Sequence, residues 1–132
     1  MNRDVLNFAL SSSERAALDL AIRKAEQLCR AEFSVFVGRS EGDDPHAFAT
    51  SLHNSLVAPA RSILIMVDPH VRAVEIVTGA HVRRTLTDHQ SDLAIATMAA
   101  TFAEGDLVGG LRRGIQQLAD SARPQNTLHA GS

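Results

Sequence analysis

Acidic side chains placed beside element boundaries are the residues best suited to chemistry in this sequence. Glu41, Asp43 and Asp44 follow one short apolar segment, and Asp68 closes another. Asp88 opens a later apolar stretch, and Glu104 and Asp106 close it. Carboxylates gathered from several loops can hold a hard divalent cation, Ca²⁺ or Mg²⁺, through oxygen. Asp68 and Asp106 are the candidate ligands that this placement gives. The same acids have a simpler use. Asp44, Asp88 and Asp106 stand where carboxylates cap helices. Asp68 opens the turn Asp68-Pro69-His70, a position aspartate favours by bonding the backbone just ahead of it.

Other familiar chemistry is missing or weakly marked. The chain has no Walker A motif and no G-x-G-x-x-G loop, so those forms of nucleotide binding are unsupported. Cys29 falls on the apolar face of a helical stretch and reads as a packed thiol. His46 and His53 share a helix face, beside its apolar side rather than within it, and read as exposed residues rather than a two-histidine metal site. Arg83-Arg84 and Arg112-Arg113 are adjacent pairs. Neighbouring side chains diverge on a helix, so these read as solvated faces. Gly110 and Gly114, four apart, point to close approach of one helix to its neighbour.

The elements that must position these residues follow from local pattern. Ser11 and Glu14 form a capping box for a helix over residues 12–30, with Leu18, Ile22, Ala25 and Cys29 on one face. Residues 33–37 read as a β-branched and aromatic strand. Asp44 and Pro45 start a second helix. Ala49, Phe48, Leu52 and Leu56 give it an apolar side, and Pro59 ends it. Residues 62–67 are apolar apart from the leading serine, as in a strand covered on both faces. A short turn leads to a strand at 72–78, making an antiparallel hairpin. The first two strands, joined by a helix, should run parallel. Thr87 and Gln90 form a second capping box. It opens a broadly apolar third helix carrying Leu93, Ile95, Ala96, Ala99, Ala100 and Phe102. Gly105 stops that helix, and Asp106 caps a fourth that ends at Pro124. The order α-β-α-β-β-α-α predicts an α/β fold, a three-layer α/β/α sandwich around a small mixed sheet. Residues 1–9 read as a lead-in, 10–122 as a single domain and 123–132 as a flexible tail.

Composition narrows the function classes. The 132 residues are 45% hydrophobic and 21% charged, with a net charge of −2. This is an ordinary globular balance with no strong pull on nucleic acid or anionic membrane. Tryptophan and tyrosine are absent, so the stacking platforms of a single-strand binder are poorly supplied. One cysteine allows no intramolecular disulfide and suits a reducing compartment. The first residues lack the apolar core of a signal peptide. The longest apolar run, residues 63–67, is far short of the ~20 residues of a membrane span. A soluble, cytoplasmic protein is the expectation.

Two stretches resemble the TPM class, the domain shared by thylakoid lumen and nematode receptor-associated proteins and bacterial relatives. In the first, Gly79, Leu86 and Asp88 match the class's G-x-G-x-E-x-x-L-x-D pattern after a strand. The second, from Phe102 through Gly105, Asp106, Gly110 and Leu111, is similar to its F-x-x-G-D-Y-x-x-G-[ILV] segment, with Leu107 in place of tyrosine. The likeness covers residues 10–122 and is greatest to a short, soluble actinobacterial branch known only as a domain of unknown function. It implies an α/β/α fold, a loop-acid Ca²⁺ or Mg²⁺ site and, in some plant members, acid-phosphatase activity. His81 replaces the class's second glycine and Arg83 its glutamate, and Asp4 is one place off an N-terminal aspartate. Those departures weaken a cation site. The strand order also sets Asp88 at the opposite sheet edge from Asp106.

Two readings follow. One is a non-catalytic domain that acts through contacts with a protein partner, with no nucleic acid and no membrane insertion. The alternative, resting on the class resemblance and the acidic edge, is a weak divalent-metal-dependent phosphatase with Asp68, Asp88 or Asp106 holding the cation.

Overall fold

The computed structural model describes residues 5–6 and 10–124. In chain order the elements are β1 (Val5–Leu6), α1 (Ser12–Cys29), β2 (Glu32–Val37), α2 (Pro45–Asn54), β3 (Ser62–Asp68), β4 (Ala73–Thr78), α3 (Asp88–Ala103) and α4 (Leu107–Ala122). Single 3₁₀ turns at Pro59–Arg61 and Val82–Arg84 flank the hairpin. Both capping boxes form. Ser11 Oγ accepts from the Glu14 amide while the Glu14 carboxylate accepts from the Ser11 amide. Thr87 and Gln90 do the same at α3. Each satisfies two amides that a helix start leaves unpaired.

The sheet has the order β1-β2-β3-β4. β2 and β3 run parallel, with Val35 opposite Ile65. β4 returns antiparallel, with Ile65 opposite Ile76. Both pairings agree with the sequence expectation. β1 pairs parallel with β2 and comes from the stretch read as a lead-in. A two-residue edge strand carries too little periodicity to be seen in sequence. Asp4 and the tail from Gln125 onward lie outside the described residues.

Side chains alternate across β3, so its apolar run serves two cores. Ile63, Ile65 and Val67 join Phe33, Val35 and Val37 beneath α1, α3 and α4. Leu64 and Met66 meet Ala49 of α2 on the other face. There the Phe36 and Phe48 rings pack edge to face, 5.4 Å between centroids. The result is the expected three-layer α/β/α sandwich. Cys29 is buried in the larger core, and burial pushes its thiol pKa up, as befits a packing residue.

Two expectations need correction. First, α2 ends at Asn54 rather than Pro59. Ser55 bonds back to the Leu52 carbonyl through both amide and hydroxyl, and Pro59 instead opens the following 3₁₀ turn. Second, His53 is buried rather than exposed. The end of α2 packs against the start of β3, and His53 Nε2 donates to the Ser62 carbonyl at 3.0 Å. His46 is exposed as expected, 3.0 Å from the Glu75 carboxylate. In α3, read only as broadly apolar, Ser91, Ala94, Met98 and Thr101 are buried. Leu93, Ala96, Ala99 and Ala100 face outward. A helix apolar on every side has no face that periodicity can single out. Its inner face is set by α4, whose Gly110 and Gly114 leave room for Phe102 and Met98.

Candidate functional site

The carboxyl end of β3 holds Asp68, one of the residues the sequence singled out. Strand pairing continues past β2 to Gly38, whose amide donates to the Val67 carbonyl at 3.0 Å. That pairing carries the next loop over Asp68. Ser40 then donates to Asp68 Oδ2 through its amide and its hydroxyl, each at 2.8 Å. The His70 amide donates to Asp68 Oδ1 at 2.9 Å. Asp68 is only 2% exposed. Burial alone would raise its pKa. The donors of Ser40, with the amides of His70 and Val71, outweigh that and hold it below the ordinary carboxylate value. The Asp68 carboxylate is thus ionised at neutral pH and engaged at both oxygens. A cation or a proton acceptor's role would have to displace those donors.

Beside Asp68 lies a cleft of about 540 Å³ between the β3–β4 hairpin and the α3–α4 connection. Val74, Ala99, Phe102, Ala103 and Leu107 make its walls, and Arg72 stands among the lining residues. Arg72 has a φ of 55°, a left-handed conformation that a non-glycine residue adopts at some cost. The size falls within the range of ordinary binding clefts.

The other candidate ligands lie apart from Asp68. Asp44 Oδ1 accepts from the amides of His46 and Ala47 and starts α2. Asp106 Oδ1 accepts from the Gly109 amide at 2.8 Å and starts α4. Gly105 and Leu107, on either side of Asp106, line the cleft with Asp68. Asp106 itself lines a separate groove with residues of α1 and α4. Asp88 occupies the first turn of α3, where its charge suits the helix dipole. That turn follows β4 and lies at the opposite edge of the sheet from Asp68. Among the described residues, no three His, Cys, Asp or Glu side chains are grouped to hold a metal ion.

The glycines of the two motif stretches have packing reasons. Gly79 sits against the backbone of Pro59 and Ala60, and a methyl there would run into both. Gly105 has a φ of 87°, reversing the chain between α3 and α4. A methyl at Gly109 would collide with the Asp106 carboxylate, and one at Gly110 with the Phe102 ring. The segment from Phe102 to Gly114 is therefore a device for capping α4 and seating it on α3.

These fold-determining positions fall inside a family match. Residues 2–119 match the model of a domain of unknown function, DUF5130. The chain belongs to the DUF5130 family. Uncharacterized proteins of Mycobacterium tuberculosis strains H37Rv and CDC 1551 are each 27% identical to this DUF5130 chain over 119 residues. The match spans 90% of this chain and 71% of each relative. Among solved structures, the BA42 protein of Bizionia argentinensis superposes with a TM-score of 0.75 at 22% identity, covering 88% of this chain and 82% of that one. The N-terminal domain of a P. gingivalis protein gives 0.75 at 22% identity, covering 90% and 81%. These likenesses establish the DUF5130 chain's fold. No helix among its described residues is long and apolar enough to cross a membrane.

Sequence reading assigned Phe102 to a helix face and the strand from 72 to 78 to the sheet, and did not foresee the cleft between them. Nor did it foresee Ser40 as the partner of Asp68. That contact joins residues 28 apart in the chain, and local pattern carries no signal for it.

Proposed function

We propose that this domain is a non-catalytic relative of the TPM class that acts by binding a protein partner. The carboxyl-end cleft would receive an apolar side chain flanked by an acidic residue. The observation that carries this reading is the engagement of Asp68 by Ser40 and His70. With that carboxylate used inside the fold, the cleft offers a partner apolar walls and the cation of Arg72. Among the described residues Arg72 makes no ion pair, so a carboxylate on the partner would complement it. The phosphatase alternative has Asp68, Asp88 or Asp106 holding a divalent cation. Asp88 stands at the far sheet edge and Asp106 lines another groove, which favours the partner reading.

Peptide display on the full chain tests the reading. Selected peptides should pair a large apolar residue with an aspartate or glutamate. They should lose binding to Ala103→Arg, which fills the cleft from an exposed helix position. Peptides that bind Ala103→Arg unchanged would contradict the assignment. So would Mg²⁺- or Ca²⁺-dependent hydrolysis of p-nitrophenyl phosphate that disappears in Asp106→Ala.

A further inference from the structure

The opposite edge of the sheet has a different chemistry. Gly79 brings the two 3₁₀ turns together there, because only a residue without Cβ can lie on the Pro59 and Ala60 backbone. The Gly79 amide donates to the Ser62 carbonyl and the His81 amide to the Ala60 carbonyl, both at 3.0 Å. Arg61 of the first turn and His81 and Arg84 of the second therefore border one pocket of about 430 Å³. Arg30 joins them from the end of α1. The buried residues Cys29, Ala31, Val82 and Ala122 line the same pocket. No carboxylate is among its lining residues.

The arginines differ in what else they do. Arg30 follows the last turn of α1 with a φ of 62°, and its charge suits the carbonyl end of that helix. Arg83 is turned away, donating through Nη1 to the Thr78 carbonyl. Arg61 and Arg84 belong to single turns too short for an appreciable dipole. Among the described residues neither makes an ion pair or a side-chain hydrogen bond. Two arginines bordering one pocket whose lining includes buried apolar residues, in a chain of net charge −2, match a phosphate that carries an apolar group. The planar fork of arginine can bind phosphate oxygens in pairs.

We propose that this pocket binds a small organic phosphate, with Arg61 and Arg84 holding the phosphate and Arg30 and His81 beside it. The apolar body of the ligand covers Ala31, Val82 and Ala122. The site is separate from the carboxyl-end cleft and does not depend on the function assigned to it.

Amide chemical-shift titration of the full chain tests this, with phenyl phosphate, orthophosphate and phenol as probes. Phenyl phosphate should give saturable shifts confined to residues 29–31, 61 and 81–85. Orthophosphate should bind more weakly because it leaves the floor uncovered, and phenol should not saturate. Arg61→Ala/Arg84→Ala should weaken phenyl phosphate at least about tenfold. Arg112→Ala/Arg113→Ala, an exposed pair on α4, should leave it unchanged. Should the first pair unfold, Arg61→Gln/Arg84→Gln replaces it. Shifts that map elsewhere, that survive loss of both arginines, or that fail to saturate would overturn the proposal. Binding seen only with single-stranded RNA or with phosphatidic acid vesicles would also overturn it.

Discussion

At the carboxyl end of the sheet, acids are joined to the fold. Asp68 accepts from Ser40 and His70, Asp44 from two amides of α2, and Asp106 from the Gly109 amide. At the amino end, Arg61 and Arg84 border a pocket with no carboxylate among its lining residues and, among the described residues, no ion pair of their own. The acids drew attention in sequence because they cluster at loop starts. Structure separates a cluster of charges from an available one. A charged group already supplied with hydrogen-bond donors lends its energy to folding, and one facing an open pocket can lend it to a ligand.

Substitutions can break this comparison, beginning with the largest effect. Gly79→Ala should destabilise the protein by about 3 kcal/mol, since its Cβ would meet the Pro59 and Ala60 backbone and neither can move aside without shifting the hairpin. Chemical denaturation would measure the loss, and the amino-end pocket should open with it. Asp68→Ala should cost about 2–3 kcal/mol, because the Ser40 and His70 amides lose their acceptor. Asp106→Ala removes one helix cap and should cost about 1 kcal/mol. Arg61→Ala/Arg84→Ala should change stability by no more than about 0.5 kcal/mol, as expected of exposed side chains without partners. If the arginine pair proves costlier than Asp68→Ala, the two ends have been assigned the wrong way round.

Acid unfolding sharpens the same contrast. The Asp68 pKa is lowered in the folded protein. Its stabilisation is therefore fully present above the unfolded value, about pH 3.9. It is lost as the pH falls through the lower folded value. Asp68→Asn should remove that contribution at neutral pH and flatten stability against pH in the window below about pH 4. An unchanged slope in equilibrium denaturation across that window would argue against the hydrogen bonds to its carboxylate.

Much of the fold was legible because it rests on local signals. The capping boxes at Ser11 and Thr87, the caps at Asp44 and Asp106, and the β3–β4 hairpin each depend on residues within a few positions. His53 was misread because its environment is supplied by the start of β3, and its own helix gives no hint of that. The inner face of α3 was not legible because small apolar residues surround that helix, and the glycines of α4 decide which of them are covered. At the candidate site, Asp68 could be placed at a strand end, but the Ser40 loop that satisfies it could not. Adjacent arginine pairs drew notice as stripes. The pair that shares a pocket, Arg61 and Arg84, comes from turns on either side of the hairpin, brought together through Gly79.

The most direct test of the claim that the carboxyl-end acids serve the fold is a thermal melt. Chelator-stripped protein would be heated with and without millimolar Ca²⁺, Mg²⁺, Mn²⁺ and Zn²⁺. A cation bound only by the folded state raises the melting temperature by mass action. The account predicts the same melting temperature with each ion and without. A rise of several degrees with Ca²⁺ or Mg²⁺, lost in Asp106→Ala, would contradict it and make the acids a metal site.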